Sequence, residues 1–138
     1  MYLKLIPAAR SAMALALIAL LDAEPGPCTI DFYDNTGAIP ALPSTAITNQ
    51  VKLGTLTCSD PVASESEGVI TFGAIIQDSA ADASGTAAWA RIKNGAGAGV
   101  IDVDVSNAAG TGVIKINTTT IVAGGPIALT GFTITMGG

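Results

Sequence analysis

The chain has 138 residues, with six Lys and Arg against eleven Asp and Glu, a formal charge of −5 and no histidine. Charged residues make up 12% and apolar residues 49%, against a usual charged share of ~25%, which argues against disorder. An acidic chain with six scattered cations lacks the clustered Lys and Arg that grip phosphates, and the absence of histidine removes the commonest general base, the Ser-His and Cys-His nucleophile pairs and the usual zinc ligands.

Composition divides the chain in two. Residues 1–28 hold six of the ten leucines and no Val or Thr, whereas residues 29–138 hold all eight Val, all fifteen Thr and thirteen of the fifteen Ile. β-branched side chains lose rotamer freedom in a helix and suit a pleated sheet, so one domain is expected, with a helical segment over 1–28 and strands over 29–138.

The helix is predicted from Ala8 to Ala23, opened by Pro7 and stopped by Pro25-Gly26-Pro27. At 100° per residue Met13, Leu17, Leu20 and Leu21 share one broad face, Leu15 and Ile18 lie outside it, and Ala12, Ala16, Ala19 and Ala23 form a small-residue stripe. With no strongly polar face between Arg10 and Asp22, the helix is expected to pack on the sheet and against another subunit. A signal peptide is the rival reading, with Lys4 and Arg10 before an apolar run, but Leu21 or Glu24 would stand at −3 of its cleavage site. The uncharged run Ser11–Leu21 is too short for a membrane span of ~20 residues.

Downstream, alternation predicts strands over Cys28–Tyr33, Val51–Ser59, Gly68–Gln77, Thr86–Lys93, Val100–Ser106, Val113–Thr119 and Ile127–Met136, with Ile121-Val122 as a short edge piece. The Pro-rich stretch Ile39–Ser44 and the polar stretch Ala63–Gly68 read as loops, and Asn94–Gly97 as a hairpin turn. Seven or eight strands with one helix predict a mainly β fold, an antiparallel β-sandwich or jelly-roll-like domain with an N-terminal α-helix.

Motifs that carry chemistry are thin. Asp102-Val-Asp104-Val-Ser106-Asn107 begins like a calcium loop but has Asn107 in place of the turn glycine and Val113 in place of the closing Glu, so both aspartates read as solvated strand residues. Gly95-Ala-Gly97-Ala-Gly99 lacks both dinucleotide and phosphate-loop spacing, and Asn117-Thr118-Thr119 is a sequon in a Thr-rich strand. Cys28 and Cys58 cannot form a four-ligand zinc site, and a buried reduced pair is favoured over a disulfide. The loop carboxylates Glu65, Glu67, Asp78 and Asp82 read as solvated. No cofactor, no metal and no catalytic group are expected.

One resemblance covers nearly the whole chain. Ala8-Ala9-Arg10-Ser11-Ala12-Met13, Leu21-Asp22-Ala23 before Pro25-Gly26-Pro27, Ile30-Asp31-Phe32-Tyr33, Leu53-Gly54-Thr55-Leu56 and Ser59-Asp60-Pro61 resemble a group of small tailed-bacteriophage virion proteins. The likeness is strongest in Ala81–Arg91 and Asn117–Gly125. It implies a non-enzymatic structural role, most like a capsid decoration or cement protein: a jelly-roll-like dimer or trimer on the outer surface of the head, assembled in the host cytoplasm. The major capsid protein and copies of the chain itself would be its partners, with neither nucleic acid nor membrane. Candidate interface residues, from their apolar character, are Met13, Leu17 and Leu20 on the helix and Ile39 and Leu42 in the Pro-rich loop. A tail or neck component, a host-surface-binding β module of the virion and a secreted β-domain protein with a cleaved signal peptide are the alternatives.

Overall fold

The structure, a computed structural model, describes residues 3–136. It is mainly β, with one N-terminal helix on a curled, mostly antiparallel, sandwich-like sheet. The elements are α1 (Pro7–Leu21), β1 (Thr29–Tyr33), β2 (Lys52–Cys58), β3 (Ala63–Ser66), β4 (Val69–Phe72), β5 (Ile75–Ile76), β6 (Gly85–Thr86), β7 (Trp89–Lys93), β8 (Gly99–Asn107), β9 (Ile114–Ile116), β10 (Thr120–Ile121) and β11 (Leu129–Thr135).

Nine strands run in the order β3-β4-β11-β9-β8-β7-β1-β2-β5, and β10 pairs separately with β6. The long sheet works as two halves that share β8. From Gly99 to Asp104 this strand pairs antiparallel with β7, and from Val105 to Asn107 it pairs parallel with β9. A strand that leaves one layer to join another is how a twisted sheet turns a sandwich corner. Parallel neighbours ordinarily need a long crossover; here six residues suffice because Gly110 and Gly112 lie directly against Ser106, where a Cβ would come within 2.5 and 2.6 Å of its atoms. The Ser106 hydroxyl accepts from the Gly112 N–H at 2.9 Å and Asp104 Oδ1 from the Val113 N–H at 2.9 Å, which fixes the return.

Alternation carries the core. Ile30 and Phe32 of β1, Leu53 and Leu56 of β2, Ile70 of β4, Ala90 and Ile92 of β7 and Ile114 and Ile116 of β9 are fully buried, and Phe72 and Phe132 stack with ring centroids 3.9 Å apart. The helix contributes Ala14, Ile18 and Leu21 to this same cluster.

Two of the strand expectations need correction here. Ala63–Ser66 is a strand, hairpinned to β4 by Glu67 and Gly68, whose φ values of 50° and 87° have the signs of a type I′ turn. The long strand expected over Gly68–Gln77 is broken at Gly73, where a Cβ would lie 2.4 Å from the Ser59 hydroxyl, so β4 and β5 join opposite ends of the sheet order and Ile76 faces solvent. The helix docks through Ala14, Ile18 and Leu21 and leaves Met13 and Leu20 open. Its seat is the β3–β4 hairpin: Arg10 Nε donates to the Glu67 carbonyl at 3.2 Å, its Cβ lies 2.5 Å from where a Cβ of Gly68 would stand, and Asp22 Oδ1 accepts the Val62 N–H at 2.8 Å.

Candidate functional site

The proposed interface residues fall on two surfaces. On α1, Met13 and Leu20 are 44% and 58% exposed, and Leu15, outside the expected face, is 55% exposed. Leu17 is half-buried and packs against the core beside Ala14, Ile18 and Leu21. Ile39 and Leu42 are 59% and 60% exposed. They belong to a long loop between β1 and β2, here the strap, which crosses the outer face of the β1–β7–β8 layer.

That outer face is polar, and its register explains how it holds the strap. Thr55, Asp31, Arg91 and Asp102 stand directly opposite one another on β2, β1, β7 and β8. Asp31 accepts from the Thr55 hydroxyl at 2.7 Å and from Lys93 Nζ at 3.1 Å. Arg91 forks onto Asp102, Nε to Oδ1 at 2.8 Å and Nη2 to Oδ2 at 2.9 Å, the bidentate geometry that guanidinium favours. The same guanidinium reaches outward, donating from Nη1 to the Thr45 carbonyl and from Nη2 to the Leu42 carbonyl at 3.2 Å. Arg91 is therefore a buried post to which the strap is tied, and the hydrogen bonds to Asp102 raise its pKa further. Asp34 caps the outgoing turn through Thr36, Gln50 Nε2 donates to the Ala38 carbonyl at 2.7 Å, and the Asp34 N–H reaches the Val51 carbonyl at 3.2 Å, closing the base.

Beneath the strap, Tyr33 and Trp89 are cross-strand partners stacked at 4.5 Å, with the Arg91 guanidinium 5.6 Å from the Trp89 ring centre. Burial, then Asp31, raises the Tyr33 pKa. A cleft of about 280 Å³ opens between strap residues 43–47, Arg91, Lys93 and the 97–99 turn, and one of about 180 Å³ lies between Ile39, Trp89 and β8. Both are smaller than the ~300–1,000 Å³ usual for small-molecule sites. The charges at the larger cleft are already paired, Arg91 with Asp102 and Lys93 with Asp31.

The expectation that Asp102 and Asp104 both stand in solvent is half corrected: Asp104 is exposed, but the Asp102 side chain is 14% exposed and paired. Asp78, expected to be solvated, bridges the Thr55 and Ala80 N–H groups at 3.0 Å each. The missed signal is cross-strand: Asp31, Arg91 and Asp102 each occupy an outward register position, and only the pairing shows that they meet. Cys28 and Cys58 are free, buried and opposite each other, with the Cys58 N–H on the Cys28 carbonyl at 2.9 Å. The neighbouring Cys58 thiol, together with burial, pushes Cys28 up, and Cys28 in turn draws Cys58 down. Among the described residues no three His, Cys, Asp or Glu side chains are placed to hold a metal, and no helix is long and apolar enough to cross a membrane.

With this geometry in hand, comparisons with protein-family models, curated proteins and solved structures return no match.

Proposed function

We propose that the chain is a non-enzymatic virion structural protein, a capsid decoration or cement protein that bridges major capsid subunits on the outer surface of a bacteriophage head. The observation that carries this reading is that a well-packed β body leaves two separate apolar surfaces open: α1 with Met13 and Leu20, and the strap with Ile39 and Leu42. Two sticky surfaces on one rigid body are what a clamp requires, and the likeness to small phage virion proteins supplies the setting.

The mechanism is passive. Apolar area removed from water stabilises by roughly 25 cal/mol per Å², and specific interfaces bury about 1,200–2,000 Å² in total. A clamp seated across a subunit boundary adds that burial to the closed shell and opposes the outward pressure of packaged genome. Many symmetry-related copies make modest individual contacts sufficient. The net charge of −5 suits a position outside the shell, away from DNA.

Cryo-electron microscopy of the native particle tests this directly. The expected result is density for this β body astride capsid-subunit boundaries on the head exterior, with Leu42→Ser or Leu20→Ser lowering its occupancy. Density confined to the tail or neck, or particles that lack the protein, would overturn the decoration reading.

A further inference from the structure

The open side of α1 carries a second pattern besides the docking face. Ile6, Met13 and Leu20 recur every seven residues and are 69%, 44% and 58% exposed. Three residues after each comes an alanine, Ala9, Ala16 and Ala23. This is an a/d heptad seam of the kind that packs one helix on another, with every a position large and every d position small. Met13, Leu20, Ala9 and Ala16 lie within the helix, whereas Ile6 is its N-cap and Ala23 lies past the C-cap with its carbonyl against Gly95, so the helical part of the seam is these four residues.

Laid against a second copy of itself in the antiparallel sense, with Met13 opposite Ala16, the seam also sets Leu20 opposite Ala9. At each level a large side chain meets a methyl group, which lets the axes approach toward the short end of the ~8–10 Å range. A parallel pair would set large against large and alanine against alanine, leaving gaps between crowded levels.

The helix dipoles favour the same arrangement. The first turn of α1 holds no acidic residue and the last turn no basic one, so the helix does not offset its own dipole. An antiparallel partner sets the two dipoles against each other, whereas a parallel one aligns them. Arg10 and Asp22 take no part in the seam, being engaged on the β3–β4 side with the Glu67 carbonyl and the Val62 N–H.

We propose that two copies of this chain pair through α1, antiparallel about a two-fold axis passing between Met13 and Ala16. The pairing rests on the assembly reading in taking the open helix face as an interface, and it makes the dimer, carrying two straps, the unit that bridges capsid subunits.

Analytical ultracentrifugation of the whole protein tests the pairing, with Ala16→Glu as the disrupting variant and Leu15→Glu, outside the seam, as the control. The wild type and the Leu15→Glu variant are expected at twice 13.7 kDa, and the Ala16→Glu variant at the monomer mass, with an unchanged circular dichroism spectrum and a melting curve that no longer shifts with protein concentration. Orientation is read by disulfide cross-linking with a mild oxidant. Mixing the single variants Ala9→Cys and Leu20→Cys gives a covalent heterodimer, while neither alone does, and the buried Cys28 and Cys58 stay out of the reaction. A monomeric wild type, a dimer that survives Ala16→Glu, or cross-linking of each single variant with itself would overturn the pairing and leave virion association to be decided by imaging. A cross-linked antiparallel dimer that is missing from particles would instead keep the pairing and overturn the decoration reading.

Discussion

The strap and the helix both present leucine and isoleucine to solvent, but they are held by opposite kinds of chemistry. The strap lies on charges: Arg91 grips Asp102 with one side of its guanidinium and two strap carbonyls with the other, over a row of groups set in register across four strands. The helix lies on hydrocarbon: Ala14, Ile18 and Leu21 press into the core, with hydrogen bonds from Arg10 and to Asp22 at its ends. A loop has no regular hydrogen-bond ladder of its own and must borrow partners, so a buried cation with donors on several sides suits it. A helix satisfies its own backbone and needs only a covered apolar stripe. Ile39 and Leu42 are consequently fixed by directional bonds and α1 by packing, and the two surfaces should fail differently.

The largest effect is expected at Arg91. Arg91→Ala leaves the Asp102 carboxylate partly buried without its cation and releases the Thr45 and Leu42 carbonyls. Breaking a buried ion pair by removing one partner costs about 3–5 kcal/mol, to be read from urea unfolding. The damage should be local as well, with limited proteolysis cutting the strap faster while α1 stays protected. Arg91→Lys keeps the charge but cannot fork, so it should restore only part of the loss. If strap and helix become equally cleavable, the two regions are not held independently and the contrast drawn here fails.

Next in size is a pair of substitutions on neighbouring sides of α1. Ile18 is 9% exposed and Leu20 58%. Ile18→Ala should cost about 2–5 kcal/mol, because it removes buried methyl groups and leaves a cavity. Leu20→Ala should stay within about 0.5 kcal/mol for the monomer, as surface changes do. Any further loss at Leu20 should grow with protein concentration, since a partner that binds only the folded chain adds stability by mass action. Equal losses at the two positions in dilute solution would mean that the docking face has been misplaced.

How far the sequence could be read follows from which interactions are local. The helix, its proline boundaries and the strands around Ile30, Leu56, Ile92 and Ile114 are legible because helix propensity and alternation are properties of adjacent residues. The face that docks is not: α1 is apolar nearly all round, so its own pattern offered Met13, Leu17, Leu20 and Leu21 as well as Ala14 and Ile18, and the choice falls to Gly68, where the missing side chain makes room for Arg10. The β3–β4 hairpin was hidden because Ser64, Glu65 and Ser66 are polar in the manner of a loop; an edge strand tolerates that, and charge there discourages further pairing. The strap was visible as a loop with Ile39 and Leu42 in it. Its anchor was not, since Arg91 lies 46 residues from Thr45 along the chain and nothing in either stretch names the other. The parallel return from β8 to β9 was hidden too, because Gly110 and Gly112 read equally well as a hairpin turn.

The smallest expected effect separates the two regions by pH. Tyr33 lies under the strap, and its pKa is raised from an ordinary value of 10.0, first by burial and then by Asp31. A group held protonated in the folded chain leaves stability intact below its unfolded pKa, and stability falls as pH rises from there through the folded value. Melting temperature should therefore decline as pH passes about 10. Cys28 and Cys58, shifted in opposite directions from 9.0 by their coupling, add contributions of opposite sign. The Tyr33 share is isolated by Tyr33→Phe, which keeps the stack on Trp89 and removes the ionisable hydroxyl. Above pH 10 the variant should lose stability less steeply than the parent, and its strap should resist proteolysis to higher pH. The docking face of α1, built from Ala14, Ile18 and Leu21, has no titrating side chain of its own and shares its cluster only with the Cys28–Cys58 pair, so its protection should not respond to Tyr33→Phe over the same range. Identical alkaline slopes for variant and parent would show that Tyr33 ionises without feeling its surroundings, and the polar face would then be looser than its register implies.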